Sequence, residues 1–312
     1  MKRKVVEQGG TTLMVSIPVK WARRYGVGKG DELEMEERGK ELLISARAAP
    51  SMRKAEIDIR GIKEPYMIEW ILSALYREGY DEIQVYYGDS KSLVQVQQTM
   101  KDLFVGFIIA SQTEKSCVLR CISQDLEMEF DATLRRSWLV SFEMADSVLE
   151  YVRQGKFTKL NDLFTIERTC DQLINFCERI LNKRGYSDCR KTCFMYTVVW
   201  NLERVVDCYK HLCRYLTEKE NSKTKLSKEV IEIFERTNKL FHDYFDLFYK
   251  FDANQLCELN QERDNIRKNI RELTEIKNPA EIIVMGYLQN LALRILDFSI
   301  STVALNQKLI EK

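Results

Sequence analysis

The chain has 312 residues, of which 45% are hydrophobic and 30% charged, and its 48 Lys and Arg nearly balance its 47 Asp and Glu. This length predicts two or three domains, each with enough chain to form a core. The composition is typical of a globular protein, and we find no run of about 18 apolar residues that would predict a membrane-spanning helix. The first residues lack the apolar segment of a secretory signal, so we expect a cytoplasmic protein that is not inserted in a membrane.

The first fifty residues show a pattern of strand, short helix, turn and strand. Val15 and Ile17 have the alternation typical of a strand. Pro18 can open a helix over Lys20–Tyr25, and a second strand starts near Leu33. A unit this small buries too little apolar surface to be stable alone, so we expect it to pair with a second copy of itself.

This stretch resembles the AbrB/SpoVT family of swapped-hairpin DNA-binding domains. The resemblance covers about residues 1–47 and rests on Ile17-Pro18, Arg23-Arg24, Gly26-Val27, Gly30-Asp31-Glu32-Leu33 and the closing strand Glu41-Leu42-Leu43-Ile44. In that family two copies interleave their hairpins into one dimeric β-barrel that binds DNA. The resemblance therefore implies a homodimer whose partner is DNA.

Charge is unevenly distributed along this region. Residues 1–30 contain seven Lys and Arg and one Glu, which gives a net charge of +6. Residues 31–50 contain three Lys and Arg and six Asp and Glu, which gives a net charge of −3. A basic edge is typical of a phosphate-binding surface, although charge alone leaves open a merely solvated face. With the resemblance, we predict that DNA is contacted by Arg3, Lys4, Thr11, Thr12, Lys20, Arg23 and Arg24.

Residues 51–129 alternate between strand and helix patterns. Strands are predicted near 55–59, 82–88, 107–111 and 117–122, and helices near 65–77 and 93–103. The order β-α-β-α-β-β predicts a small α+β domain with its helices on one face. Its role stays open between a spacer, an additional dimer contact and a ligand sensor.

Residues 130–312 contain long amphipathic helices and no strand pattern. We predict helices at about 132–153, 160–183, 188–219, 227–251, 255–276 and 280–310, joined by short connectors that favour antiparallel bundles. Asp171-Gln172-Leu173 recurs as Asp264-Asn265-Ile266, and Arg204-Val205-Val206-Asp207 recurs as Arg294-Ile295-Leu296-Asp297. These similar offsets predict two three-helix repeats, at about residues 130–220 and 225–312.

Two pairs of carboxylates are the main chemical feature of the first repeat. Glu167 and Asp171 are four residues apart, as are Glu203 and Asp207, so each pair shares one face of a helix. Like charges at this spacing repel, and a bound cation or a neighbouring Arg or Lys would offset the repulsion. All-oxygen ligands suit Mg²⁺, Mn²⁺, Fe or Ca²⁺, while Arg168 and Arg204 are the alternative partners.

The tandem repeats, with Leu202-Glu203-Arg204-Val205-Val206-Asp207, look like the PhoU family of phosphate-signalling proteins. In that family, paired acidic helices bind metal clusters, and the protein represses phosphate uptake by acting on the transporter or its sensor kinase. The resemblance implies divalent or iron-type metal cations on Glu167, Asp171, Glu203 and Asp207. In the second repeat Asn260 and Leu293 stand where an acid of each pair belongs, and only Asp264 and Asp297 remain.

Together these patterns predict an α+β multidomain protein. A dimeric swapped-hairpin β-barrel would occupy residues 1–50, a small α+β domain residues 51–129, and all-α tandem three-helix bundles residues 130–312. The main hypothesis is a DNA-binding transcriptional regulator of phosphate uptake. The alternative is an adaptor that does not bind DNA and contacts a phosphate transporter subunit.

We expect no enzymatic activity. Di-metal oxidases in helix bundles carry Glu-x-x-His motifs, and neither His211 nor His242 has a Glu three residues before it. The nine cysteines form no CxxC pair, which favours free thiols over a zinc site.

Overall fold

The computed structural model describes residues 2–38, 41–46, 52–122, 129–218, 225–273 and 278–306, and the side chains of residues 36–38 and 41 are not considered. The fold is α+β, and the chain divides into two compact units, residues 1–52 and 53–312. The division into three domains stays a prediction.

The first unit contains two antiparallel hairpins and one short helix. Strands β1 (Val5–Gln8) and β2 (Thr12–Val15) form one hairpin, and β3 (Leu33–Arg38) and β4 (Glu41–Ala46) form the other. Helix α1 (Val19–Arg24) connects the two hairpins. Within the described chain the strands form two separate two-stranded sheets.

Local sequence explains where the first hairpin turns and ends. Gly9 and Gly10 have φ angles of 69° and 73°, which side chains with a Cβ rarely adopt, so the two glycines permit the β1–β2 turn. The predicted strand over Val15–Ile17 is wrong in position, because β2 ends at Val15. Pro18 has no N–H to donate to a ladder, and it lies just before α1. Strand β1 was not predicted at all.

The second unit begins with a four-stranded sheet. Its elements are β5 (Lys54–Asp58), α2 (Pro65–Glu78), β6 (Glu82–Tyr86), α3 (Ser90–Leu103), β7 (Phe107–Gln112) and β8 (Ser116–Cys121). The strand order is β5-β6-β8-β7, with β5 parallel to β6 and the other pairs antiparallel. The predicted order of strands and helices is confirmed.

Seven helices complete this unit in the described residues: α4 (Phe130–Arg153), α5 (Phe164–Arg184), α6 (Thr192–Thr217), α7 (Lys228–Tyr249), α8 (Ala253–Glu272), α9 (Pro279–Leu296) and α10 (Ser299–Leu305). A 3₁₀ segment, Phe157–Leu163, precedes α5, and the last predicted helix is broken after Leu296. Helices α4, α5 and α6 contact one another, as do α7, α8 and α9. Contacts of α4 with α7 and of α6 with α9 join the two sets into one core.

The stretch Pro279–Leu305 is long and apolar enough, by length and composition, to cross a membrane. About 44% of its most apolar window is buried inside the fold, and α9 packs against α6, α7 and α8. These contacts are typical of a core helix.

Helix α5 joins the sheet region to the helices, because it contacts α2 and α3 as well as α4 and α6. Arg179 is only 1% exposed and donates to the carbonyl oxygens of Tyr76 and Tyr80, at 2.9 and 2.7 Å, and to Asp81 Oδ1 at 2.6 Å. Lys183 also donates to Asp81 Oδ1, at 2.7 Å. Gly79 ends α2, and a Cβ there would lie 2.3 Å from Cγ of Lys183, so α2 and α5 approach too closely for a larger residue.

Candidate functional site

The cationic residues predicted to contact DNA are exposed on the first unit. Lys20, Arg23 and Arg24 lie on α1, and the last two occupy its final turn. Arg3 lines a small cavity with Pro18 and Trp21, which places it beside the start of α1. Lys4 is also exposed just before β1, and Thr11 and Thr12 lie at the exposed β1–β2 turn.

The hairpins of this unit expose unusually many apolar side chains. Leu13 is 72% exposed and Met35 61%. The other exposed apolar residues of the strands are Val5, Val6, Met14, Val15, Leu42 and Leu43. Many exposed apolar side chains on one small unit are typical of a protein–protein interface.

The second unit contains a cavity of about 770 Å³ between helices α2, α5 and α6. Three of the four predicted metal ligands, Asp171, Glu203 and Asp207, line it, and Glu167 is buried one turn from Asp171. The structure therefore brings both carboxylate pairs to one region. The lining residues are Arg53, Glu69, Trp70, Ser73, Ala74, Arg77, Glu78, Leu103, Asp171, Asn175, Asn182, Tyr196, Glu203, Asp207 and Lys210.

The Glu167–Asp171 pair is compensated by Lys210. The ammonium of Lys210 forms an ion pair with Glu167 and donates to Asp207 Oδ1 at 3.2 Å. Burial acts to lower the pKa of Lys210, but Glu167 and Asp171 outweigh this effect and raise it, so Lys210 stays protonated. Burial, together with the Glu167 carboxylate, raises the pKa of Asp171 well above its usual range.

The Glu203–Asp207 pair is compensated by two arginines. Arg77 on α2 approaches Glu203 Oε1 at 3.4 Å, and Arg204 donates to Asp207 Oδ2 at 3.1 Å. Burial raises the pKa of Glu203, and Arg77 opposes that rise. Arg77 Nε also lies 3.1 Å from Oε2 of Glu178, a carboxylate whose side chain is fully buried.

The partners of these carboxylates differ in part from those expected from sequence. Arg204 does contact Asp207, whereas the described contact of Arg168 is with Asp102, 3.8 Å away. Lys210 and Arg77 were not predicted as partners of these carboxylates. Lys210 lies three residues after Asp207, a helical spacing that could have revealed it, but Arg77 precedes Glu203 by 126 residues and leaves no local signal.

The side-chain oxygens at the predicted metal site can be compared with the ligands that a metal ion needs. Its oxygens suit a hard cation, but Lys210 engages Glu167 and Asp207, and Arg77 engages Glu203. Among the described residues, no three His, Cys, Asp or Glu side chains are arranged to hold a metal ion. A metal bound to these carboxylates would have to displace both cationic side chains.

Glu178 should make stability depend on pH. Burial raises its pKa to about 7, so the folded chain holds a proton that the unfolded chain releases near its ordinary value of 4.5. The free energy of unfolding should therefore fall as pH rises from 5 to 7, by up to about 1.4 kcal/mol per pH unit from this group. Urea denaturation of Glu178→Gln should show a shallower decline than the unsubstituted protein. Equal slopes for the two proteins would contradict the assignment.

Comparison with protein families gives one match, and it lies in the first unit. The model of the family described as "Antidote-toxin recognition MazE, bacterial antitoxin" matches residues 6–52. The N-terminal unit is of the MazE type. Comparisons with curated proteins and with solved structures gave no match. The PhoU resemblance of residues 130–312 and the metal site stay predictions.

Proposed function

We propose that the protein is a DNA-binding transcriptional regulator whose MazE-type unit contacts DNA as a homodimer. The observation that carries this proposal is the family match over residues 6–52. The exposed cations Lys20, Arg23 and Arg24 on α1, within a segment of net charge +6, support it. Such side chains neutralise phosphates and position a protein on the duplex.

The apolar surface of the hairpins supports the homodimer. A second copy is the simplest partner that would cover β1, β2, β3 and β4 at once, because each copy presents the same exposed residues. A dimer also doubles the basic edge. Two copies of α1 would then contact two half-sites of one DNA molecule.

The regulated process is proposed to be phosphate uptake, with the helical region as the sensor. This part of the proposal rests on the PhoU resemblance and on the two sets of three mutually contacting helices. It includes contact with a phosphate transporter subunit. Metal cations on the acidic helices remain a weaker element, because Lys210 and Arg77 already compensate those carboxylates.

The double substitution Arg23→Ala with Arg24→Ala tests the DNA interface. We expect affinity for DNA from upstream of the protein's own gene to fall about tenfold or more, because a dimer loses four cations. The plot of log affinity against log salt concentration should also become less steep by about 2 to 4. Fluorescence anisotropy across a range of salt concentrations measures both quantities.

The matched control removes two exposed cations from the second unit, Lys156→Ala with Lys159→Ala. It should bind DNA as the unsubstituted protein does. If the α1 variant and the control behave alike, the DNA-binding face is assigned wrongly.

Two alternative functions can be distinguished from DNA-binding regulation by experiment. The name of the matched family favours regulation of the antitoxin type, in which this unit also recognises a toxin protein. An adaptor would use the unit only as a dimer joint. A dimer that gives no sequence-specific shift in a mobility assay would favour the adaptor, and co-purification of a toxin partner would favour the antitoxin.

A further inference from the structure

Three residues that line the cavity between α2, α5 and α6 each carry a buried side-chain atom that has no hydrogen-bond partner among the described residues. One lies on each helix: Ser73 Oγ on α2, Asn175 Oδ1 on α5 and Glu203 Oε2 on α6. Asn175 is only 1% exposed and Ser73 9%. Nδ2 of Asn175 donates to the carbonyl oxygen of Leu103 at 3.3 Å, which fixes the orientation of the amide.

Leaving such atoms unpaired is costly. A buried acceptor without a partner destabilises the fold, and more so when it is charged. Two of the three atoms can only accept hydrogen bonds, and the third is a hydroxyl that can also accept. The unpartnered donor of the lining, Nε of Arg77, lies beside Glu178, so it does not serve these three acceptors. A ligand that supplies N–H groups would pair with acceptors on all three helices.

The lining cations Lys210 and Arg77 do not fill this role. Lys210 is directed to Glu167 and Asp207, and Arg77 to Glu178 and to the other oxygen of Glu203. Five carboxylates and three cations line the cavity, so its formal charge balance stays negative. A positive ligand is favoured over an anion.

Size and lining favour an organic cation over a bare metal ion. A volume of about 770 Å³ lies within the range of small-molecule sites and greatly exceeds that of one ion. Trp70 lines the cavity and is 60% exposed, so its ring face can contact an ammonium group or an apolar stem. Asn175 and Ser73 are neutral, and neutral acceptors suit N–H donors.

We propose that this cavity binds a small organic amine in its protonated form. Its ammonium donates to Asn175 Oδ1 and Glu203 Oε2, with Ser73 Oγ as a third acceptor. The ligand then connects α2 of the sheet region to α5 and α6. This binding does not depend on the proposed DNA contact, so it can be tested separately.

Isothermal titration calorimetry of the full chain tests the proposal with agmatine and spermidine as amine probes. Magnesium chloride, manganese chloride and sodium phosphate are titrated in parallel. We expect saturable binding of at least one amine. Glu203→Gln should weaken it about tenfold or more, because a charge-assisted hydrogen bond becomes a neutral one. Asn175→Leu should abolish it.

Glu235→Gln is the matched control, since Glu235 on α7 is partly exposed, pairs with Arg153 and does not line the cavity. It should bind the amine as the unsubstituted protein does. Thermal unfolding without ligand shows whether each variant is folded. If Asn175→Leu does not fold, the test depends on the affinity of Glu203→Gln alone. Binding of only metal ions or only phosphate, no binding of either amine, or equal affinities of Glu203→Gln and Glu235→Gln would overturn the proposal.

Discussion

Replacing Arg179 by methionine should lower the free energy of unfolding by about 3–5 kcal/mol. The guanidinium is almost fully buried and donates to Asp81 and to the carbonyl oxygens of Tyr76 and Tyr80. Methionine keeps much of the volume but leaves Asp81 buried with less compensation and strands two carbonyl groups. Urea denaturation of the full chain measures the change.

Arg168→Met is the matched control on the same helix. Arg168 is exposed and lies 3.8 Å from its carboxylate partner, so its loss should cost at most about 1 kcal/mol. Adding Asp81→Asn to Arg179→Met should recover part of the lost stability, because it removes a buried charge that has lost one of its two cationic partners. Equal stabilities of Arg179→Met and Arg168→Met would show that the buried network contributes nothing.

Trp138→Ala is expected to destabilise the protein by a similar amount, about 3–5 kcal/mol. Trp138 on α4 is fully buried, and its ring contacts five phenylalanines. These are Phe142, Phe241, Phe245, Phe248 and Phe298, with ring centroids 5.1 to 6.2 Å away. Alanine would open a cavity where α4 meets α7 and the segment after α9.

Trp138→Phe separates packing from hydrogen bonding. The indole N–H has no partner in the described part of the chain, so phenylalanine loses volume but no hydrogen bond. It should cost about half as much as alanine or less. If the two substitutions destabilise the protein equally, the stability at this site does not come from filling the aromatic core. Both changes are read from urea denaturation midpoints.

Periodicity predicted the regular parts of the fold well. The strands and helices from Lys54 to Cys121 and the long helices after Phe130 follow apolar spacing, which reflects burial on one face. In the N-terminal unit the expected positions of α1, β3 and β4 agree with the structure, whereas β2 was misplaced and β1 was missed. Strand β1 carries the pattern Val5-Val6-Glu7, with both faces exposed within one chain, so no alternation marks it.

The candidate cavity could be predicted only in part. Glu167, Asp171, Glu203 and Asp207 were found because their spacing is local. Arg77 and Asn175 were missed, since their role arises only when α2 packs on α5, and that contact is a property of the tertiary fold. The spacing of Lys210 from Asp207 is a local signal, but no sequence pattern indicated that Lys210 would also pair with Glu167, a residue on another helix.

The Arg179 contacts bear on how this gene can recombine. Residues 1–52 form their own compact unit, so this unit can be exchanged between genes as one module. The sheet region and the helices after it cannot be separated in the same way. A break near residue 129 would separate Arg179 from Asp81 and from the end of α2. Both halves would lose the partners of buried charges. We therefore expect the sheet region and the helices of this chain to be inherited together.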